Sequence, residues 1–274
     1  MNTLSPLILV LGASGKTGRR IVQRLRNANC RIREGSRAAM PAFEWQDRRS
    51  WPAVLDGVKR VYLCYAPDLA LPGAVEDINE FVALARTAGV RRIVLLSGRG
   101  EEEAQRAEDA VRHSGLEWTV LRASWFAQNF SEGNMQPAIA AGELVLPAGD
   151  VPEPFVDADD IADAAFVALT SDAHLGCIHE LTGPLALTFA EAVQEIAAAS
   201  GRPIRHVKVS HEDFLRGLRD DGVPADYVWL LDYLFRTVLD GRNARPADGV
   251  RQALGRPPRD FGAWARANVE AWKT

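Results

Sequence analysis

Leu7-Ile-Leu-Val-Leu11 runs directly into Gly12-Ala-Ser-Gly-Lys-Thr-Gly18, and a helical pattern from Lys16 to Arg26 follows, with Ile21, Val22 and Leu25 on one face. Five apolar residues bounded by a turn read as a buried strand. Gly12 lets the chain leave that strand sharply. Gly15 presents no side chain towards a bound group, and Gly18 allows the helix to lie close against the strand. Backbone N–H groups at the start of such a helix favour an anion through the helix dipole. Gly12, Ala13, Ser14, Gly15, Lys16, Thr17 and Gly18 are therefore read together as a cradle for the pyrophosphate of a dinucleotide.

The chain outward from this turn alternates short β-branched runs with longer helical periods. Arg31–Gly35, Phe43–Asp47, Arg60–Tyr65, Arg92–Ser97 and Trp118–Leu121 read as strands. Between them Trp51–Leu55 reads as a short helix, Ala74–Ala88 as a helix closed by Gly89, and Glu101–His113 as a helix closed by Gly115. This order predicts an α/β fold, a doubly wound parallel sheet of the Rossmann type, with ligands at the carboxyl ends of the strands. Later in the chain, Asp159–Thr170 is a helix and Ile178–Leu181 a strand. Thr188–Ser200 is a helix that opens with a capping box, Thr188 with Glu191, and Arg205–Val209 is a further strand. From Ser210 onward the pattern is mostly helical. We read residues 1–274 as a single domain. Within it, 1–122 is mainly the dinucleotide-binding core. The rest, 123–274, is mainly a smaller α/β lobe over the strand C-terminal edge, on the substrate side, with segments returning to the core.

Gly15-Lys16-Thr17 matches the last residues of a P-loop. The four-residue gap between glycines that such a loop needs is absent, so an ATPase of that kind is excluded. The net charge of −4, with 47% apolar and 25% charged residues, gives no sign of a nucleic-acid or membrane partner. Cys30, Cys64 and Cys177 are far apart and match no metal spacing, and the five histidines form no ligand set. We expect no metal and a reducing compartment. Leu4–Leu11 is too short to span a bilayer and lacks the flanks of a signal peptide, which points to the cytoplasm. The expected partner is a small-molecule substrate.

About twenty residues past the glycines, a carboxylate would hold the ribose of NAD, whereas an arginine would accept the 2′-phosphate of NADP. The stretch Arg31-Ile-Arg-Glu-Gly-Ser-Arg37 offers both. Arg37 could clamp a phosphate with Ser36 beside it, and Glu34 could serve a ribose. We favour NADP(H) over NAD(H). Glu44 and Trp45, at the end of the third expected strand, are the candidate adenine contacts; Trp45 could equally be a core residue.

The three-and-three glycine spacing resembles the NmrA-like branch of the atypical short-chain dehydrogenases/reductases. The resemblance tightens at Arg60-Val-Tyr-Leu-Cys-Tyr-Ala-Pro67, Thr119-Val-Leu-Arg-Ala-Ser-Trp-Phe-Ala-Gln-Asn-Phe130, Pro154-Phe-Val-Asp-Ala-Asp-Asp-Ile-Ala-Asp163, Glu180-Leu-Thr-Gly183 and Gly255-Arg-Pro-Pro-Arg-Asp-Phe261. These stretches are similar to the subgroup containing the ergot-alkaloid reductases of the EasG, agroclavine/festuclavine dehydrogenase, type. The resemblance implies NADPH-dependent reduction of an iminium carbon. It implies Tyr65, Ala66 and Pro67 near the nicotinamide ribose at the end of a fourth strand, and Ser97 at the end of a fifth. It also implies Trp125, Phe126 and Asn129, after a sixth strand, bordering nicotinamide and substrate; Phe155 is a further candidate for the substrate pocket, and Tyr227, on the late helical stretch, could line that pocket or simply pack the lobe. Trp125 and Phe126 could instead be core aromatics. Arg122 and Asp157 are expected to form a structural ion pair, and Asp160 to begin the following helix.

Most short-chain reductases protonate a carbonyl oxygen with a tyrosine acidified by a lysine four residues on. Aligned on Glu108, this chain has Gly100 and Ala104 in those places, so the dyad is absent. Tyr65 and Ser97 remain as weak catalytic candidates. Either the acceptor needs only hydride, as an iminium ion does, or the protein senses the dinucleotide without turnover. Non-redox chemistry such as isomerisation is a third reading.

Overall fold

The structure, a computed structural model, describes residues 5–273; Leu4, counted above in the N-terminal apolar run, lies outside them. In chain order the first elements are β1 (Leu7–Leu11), α1 (Lys16–Asn27), β2 (Ile32–Gly35), α2 (Trp51–Leu55), β3 (Val58–Leu63), α3 (Ala74–Thr87), β4 (Arg92–Gly98), α4 (Glu102–Arg112) and β5 (Glu117–Ala123). Then come α5 (Asn129–Glu132), α6 (Gln136–Ala141), β6 (Glu143–Leu146), α7 (Ala158–Thr170), β7 (Cys177–Leu181), α8 (Phe189–Ser200) and β8 (Arg205–Lys208). The last are α9 (His211–Asp220), α10 (Ala225–Tyr233), α11 (Gly249–Leu254) and α12 (Phe261–Ala267).

The chain divides into two compact units. The first comprises the residues up to Ala123, with Ala158–Leu181 and Gly249–Arg256. It carries a six-stranded sheet in the order β2-β1-β3-β4-β5-β7, every neighbouring pair parallel. The order reverses at β1, so the glycine turn lies at the switch point where ligands of this fold bind. Leu9, Leu11, Val61, Leu63, Ile93 and Leu95 are fully buried and share one core with Ile78, Phe81 and Val82 of α3 and Ala104, Ala107 and Val111 of α4. Each such aliphatic or aromatic side chain contributes roughly 1.5–3 kcal/mol relative to exposure. Charge also ties α1 to α7: Arg24 donates to Asp159 (2.8 Å) and Asp163 (2.5 Å). Arg256, after α11, pairs with the fully buried Asp160 at 2.7 Å. Asp160 thus sits inside the first turn of α7 as an ion-pair partner rather than beginning the helix, which starts at Ala158, one residue before the expected Asp159.

The stretch Phe43–Asp47 is not a strand. Phe43 and Trp45 are buried and Glu44 and Gln46 exposed, so the period-two pattern is real, but no neighbouring strand pairs with it. Trp45 instead turns into the core: its indole N–H donates to the Cys64 carbonyl at 3.1 Å. Its ring packs on Phe43, Trp51, Tyr65 and Phe81 at 4.7–5.6 Å. Consequently the Tyr65 segment follows β3, Ser97 belongs to β4 and Trp125 follows β5, each one strand earlier than expected.

The second unit comprises Ser124–Asp157, Thr182–Asp248 and the residues from Pro257 on. It holds the parallel pair β6–β8 and an aromatic core in which Phe130, Phe155, Phe189 and Phe261 meet. The capping box of α8 forms as expected. The Thr188 hydroxyl accepts from the Glu191 N–H at 3.1 Å, and the Glu191 carboxylate accepts from the Thr188 N–H at 2.8 Å. Among the described residues no helix is long and apolar enough to cross a membrane.

Candidate functional site

The cradle is shaped by one close approach. A Cβ at Gly18 would lie 2.0 Å from the Gly12 carbonyl oxygen and 2.9 Å from the Ala13 Cα, so only glycine lets α1 start this near β1. Gly12 itself has φ +65°, the left-handed region open to glycine. The Gly15 N–H donates to the Gly12 carbonyl at 2.8 Å, closing the turn. Gly15 then caps α1 with extended backbone and no side-chain hydrogen bond, and no acidic residue occupies the first helical turn. Ser14 and Gly15 are exposed. This arrangement fits a dinucleotide pyrophosphate: open backbone, helix N-terminus, no competing carboxylate. Thr17 contributes only backbone, because its hydroxyl is buried and accepts from the Tyr62 phenol at 2.9 Å.

At the end of β2 the two ribose candidates separate. Glu34 is engaged by the Arg26 guanidinium. Arg37 is exposed and makes no hydrogen bond or ion pair among the described residues. Ser36 turns the chain with its carbonyl, which accepts from Ala39 and Phe43. Glu44 is exposed, while its neighbour Trp45 is a core residue whose ring is enclosed by other aromatics and offers no face to an adenine.

At the carboxyl ends of β3, β4 and β5 the parallel register sets Ser97 beside Arg122 and Arg122 beside Glu180. Arg122 does not pair with Asp157. It holds the fully buried Glu108 of α4 through Nε (2.9 Å) and Nη2 (2.6 Å). Asp157 accepts from Gln128 Nε2 at 2.7 Å. The helical register of α4 brought Glu108 to the strand ends, which spacing along the chain could not reveal. The Ser97 hydroxyl donates to the same Glu108 at 2.7 Å, so it is occupied as a network member. The Tyr65 phenol donates to Asp77 at 2.7 Å. Burial, that hydrogen bond and the Asp77 charge push the phenol well above its ordinary value, which makes it a poor acid. Ala66 and Pro67 are exposed beyond it. Gly100 has φ +75° and Ala104 is fully buried in the core, so neither place of the dyad bears a titratable group.

Two carboxyls here escaped sequence reasoning. Asp68 follows β3 and takes the Ala70 N–H at 2.8 Å. Glu101 is the N-cap of α4, yet its side chain caps nothing. The carboxyl folds back over Gly98, where a Cβ would fall 2.0 Å from it, and the residue is 9% exposed. They come from different loops, so no local spacing announces them. Cys64 completes the corner, packed against Gly12, and burial followed by the Asp68 charge pushes its thiol up to about 12.

In the second unit, Trp125 packs on Phe189 (5.4 Å) and Phe235 (5.1 Å). Phe155 is 2% exposed and contacts Phe130, Phe189 and Phe261, which makes it a packing residue with no free face for a ligand. Phe126 bridges Val156 through its backbone, and Asn129 opens α5. Tyr227 lies half-buried on α10.

The profile described as NAD(P)H-binding matches residues 12–172, the glycine turn and the strands behind it. The chain belongs to the NAD(P)H-binding family. Relatives of this NAD(P)H-binding protein extend over its whole length. The uncharacterized oxidoreductase YesF of Bacillus subtilis is 33% identical, over 97% of this chain and 96% of its own. The agroclavine dehydrogenase of Claviceps fusiformis is 31% identical over 97% and 98%. The NAD(P)H azoreductase of Xenophilus azovorans is 29% identical over 97% and 99%. Among solved structures, the NADPH-dependent quinone oxidoreductase QOR2 of Escherichia coli with NADPH superposes with a TM-score of 0.80 at 20% identity, over 95% of this chain and 99% of that one. NmrA, a negative transcriptional regulator in complex with NAD, gives 0.73 at 15% identity, over 98% and 96%. The fold is Rossmann-like and NmrA-like, as the motifs implied, and the NAD(P)H-binding protein stands among NAD(P)H-dependent oxidoreductases.

Proposed function

We propose that this protein is an NADPH-dependent reductase that transfers hydride to a small organic acceptor of iminium or conjugated C=N, C=C or C=O type, without a tyrosine–lysine dyad. The observation that carries the cofactor preference is the contrast at β2: Arg37 is unpaired while Glu34 is held by Arg26. A guanidinium with no internal partner suits a 2′-phosphate, and a carboxylate already neutralised is a weak ribose ligand. The agroclavine dehydrogenase and azoreductase relatives support the acceptor class.

The bound dinucleotide supplies hydride. The residues of the chain bind and orient: the Gly12–Gly18 backbone holds the pyrophosphate, Arg37 and Ser36 hold the 2′-phosphate, and the segment Tyr65–Pro67 borders the nicotinamide ribose. Tyr65 and Ser97, both engaged elsewhere, serve as walls and anchors. Holding donor and acceptor at near-attack distance is the main contribution such a site makes.

Fluorescence titration with NADPH and NADH, paired with cofactor oxidation against a panel of iminium, azo, quinone and enone acceptors, tests this reading. We expect tighter NADPH binding and oxidation with at least one acceptor. Equal affinities refute the cofactor preference. Tight binding with no acceptor ever reduced returns the sensor reading.

A further inference from the structure

The Glu101 carboxyl has no evident structural duty. It stands at the helix N-terminus without capping it, makes no hydrogen bond or ion pair among the described residues, and is nine-tenths buried. The missing side chain of Gly98, the last residue of β4, makes the space it occupies. It is also one residue beyond Gly100, where the acid of the usual dyad would stand. We propose that Glu101 is the proton donor of this reductase, and hence that its acceptor is a quinone, azo compound or conjugated carbonyl, whose reduction consumes a proton, rather than a preformed iminium ion. The proposal rests on the reductase reading above and narrows it.

The surroundings keep the proton on. Asp68, in the loop after β3, and Glu108, on α4, both act on Glu101 through their charges. Burial, then those two carboxyls, raise Glu101 well above the ordinary carboxylate range. Asp68 is raised too, by burial against the pull of the Ala70 N–H. The cations nearby are committed: Arg122 of β5 to Glu108, Arg99 of the following loop to Glu180, and Arg106 to Glu103 on α4. Ser97 gives its hydrogen to Glu108, and the Cys64 thiol stays neutral. Because Glu101 turns away from the first-turn N–H groups of α4, it forgoes the hydrogen bonds that would hold it ionised.

The bookkeeping of the step is simple. Hydride brings two electrons and one hydrogen nucleus to one atom of the acceptor double bond. The Glu101 O–H bond breaks, its proton joins the acceptor heteroatom, and its electron pair remains on the carboxylate, which regains a proton from water. An iminium ion would leave that proton unused.

The test compares wild type with Glu101→Gln in two ways. Full-length protein labelled with ¹³C at glutamate carboxyls is titrated by NMR without cofactor. We expect one resonance, absent from the variant, to titrate above all others. Turnover with NADPH is then measured on a benzoquinone, an azo dye and a preformed iminium ion. We expect the variant to lose about 100-fold or more in kcat on the first two, to lose the alkaline fall of the wild-type pH profile, and to keep its NADPH affinity and any iminium rate. A Glu101 resonance in the ordinary range, or quinone and azo rates retained by the variant, overturns the proposal alone. A wild type that reduces none of the acceptors sinks the reductase reading, and the proton donor with it.

Discussion

Gly18 lies so close beneath Gly12 that a methyl group on it would sit 2.0 Å from the Gly12 carbonyl oxygen, well inside contact distance. The obstructing atoms are backbone, so they cannot rotate away. We expect Gly18→Ala to destabilise the fold by about 1–3 kcal/mol through overpacking and to weaken NADPH binding together with stability. Denaturant melts and a cofactor titration check this, and a variant with wild-type values in both would contradict the geometry.

Arg37 has no partner of its own to lose, so its removal leaves the fold intact. Hydrogen bonds to charged groups contribute about 1.5–3 kcal/mol. Arg37→Ala should therefore weaken NADPH binding by about 10- to 100-fold and leave NADH nearly unchanged. Paired titrations read the ratio, and a loss shared equally by both cofactors would assign Arg37 another role.

The Arg122–Glu108 pair is enclosed: the carboxylate side chain is 0% exposed and the guanidinium 18%. Arg122→Met strands a buried carboxylate and should cost about 3–5 kcal/mol. Arg106→Met, which breaks the exposed pair with Glu103, should cost less than about 1 kcal/mol. Urea denaturation of both variants at neutral pH compares them directly, and equal costs would mean that the buried network is not a unit.

The pH dependence of stability should have two separable limbs. Glu101 is raised in the folded chain above its unfolded value of about 4.3, so its contribution is complete below that value and is lost as pH climbs through the folded one. Burial raises Asp159, but the Arg24 hydrogen bond and the Arg20 and Arg24 charges outweigh it and leave it lowered. Its contribution is present above about 3.9 and is lost as pH falls. Glu101→Gln should flatten the alkaline limb and Asp159→Asn the acid limb, as read by denaturation midpoints across pH. A variant that flattens the opposite limb would reverse the sign assigned to its carboxyl.

The chain itself carries everything that acts within a few residues. Leu7–Leu11 followed by Gly12, Gly15 and Gly18 specifies strand, turn and helix, because apolar run length, positive φ and close approach are local demands. Thr188 and Glu191 announce their helix for the same reason, three residues apart and mutually bonded. What the folded chain alone decided is pairing across distance. Phe43–Asp47 shows strand alternation, but a strand exists only where a neighbour offers its N–H and C=O groups, and Trp45 turned into the core instead. Arg122 met Glu108 rather than Asp157, and Glu101 came under the charge of Asp68 from another loop, because parallel register and the angle of α4 bring remote residues together at one edge of the sheet. Local sterics are written in order along the sequence; the partners of buried charges are chosen by packing, which no short window of residues contains.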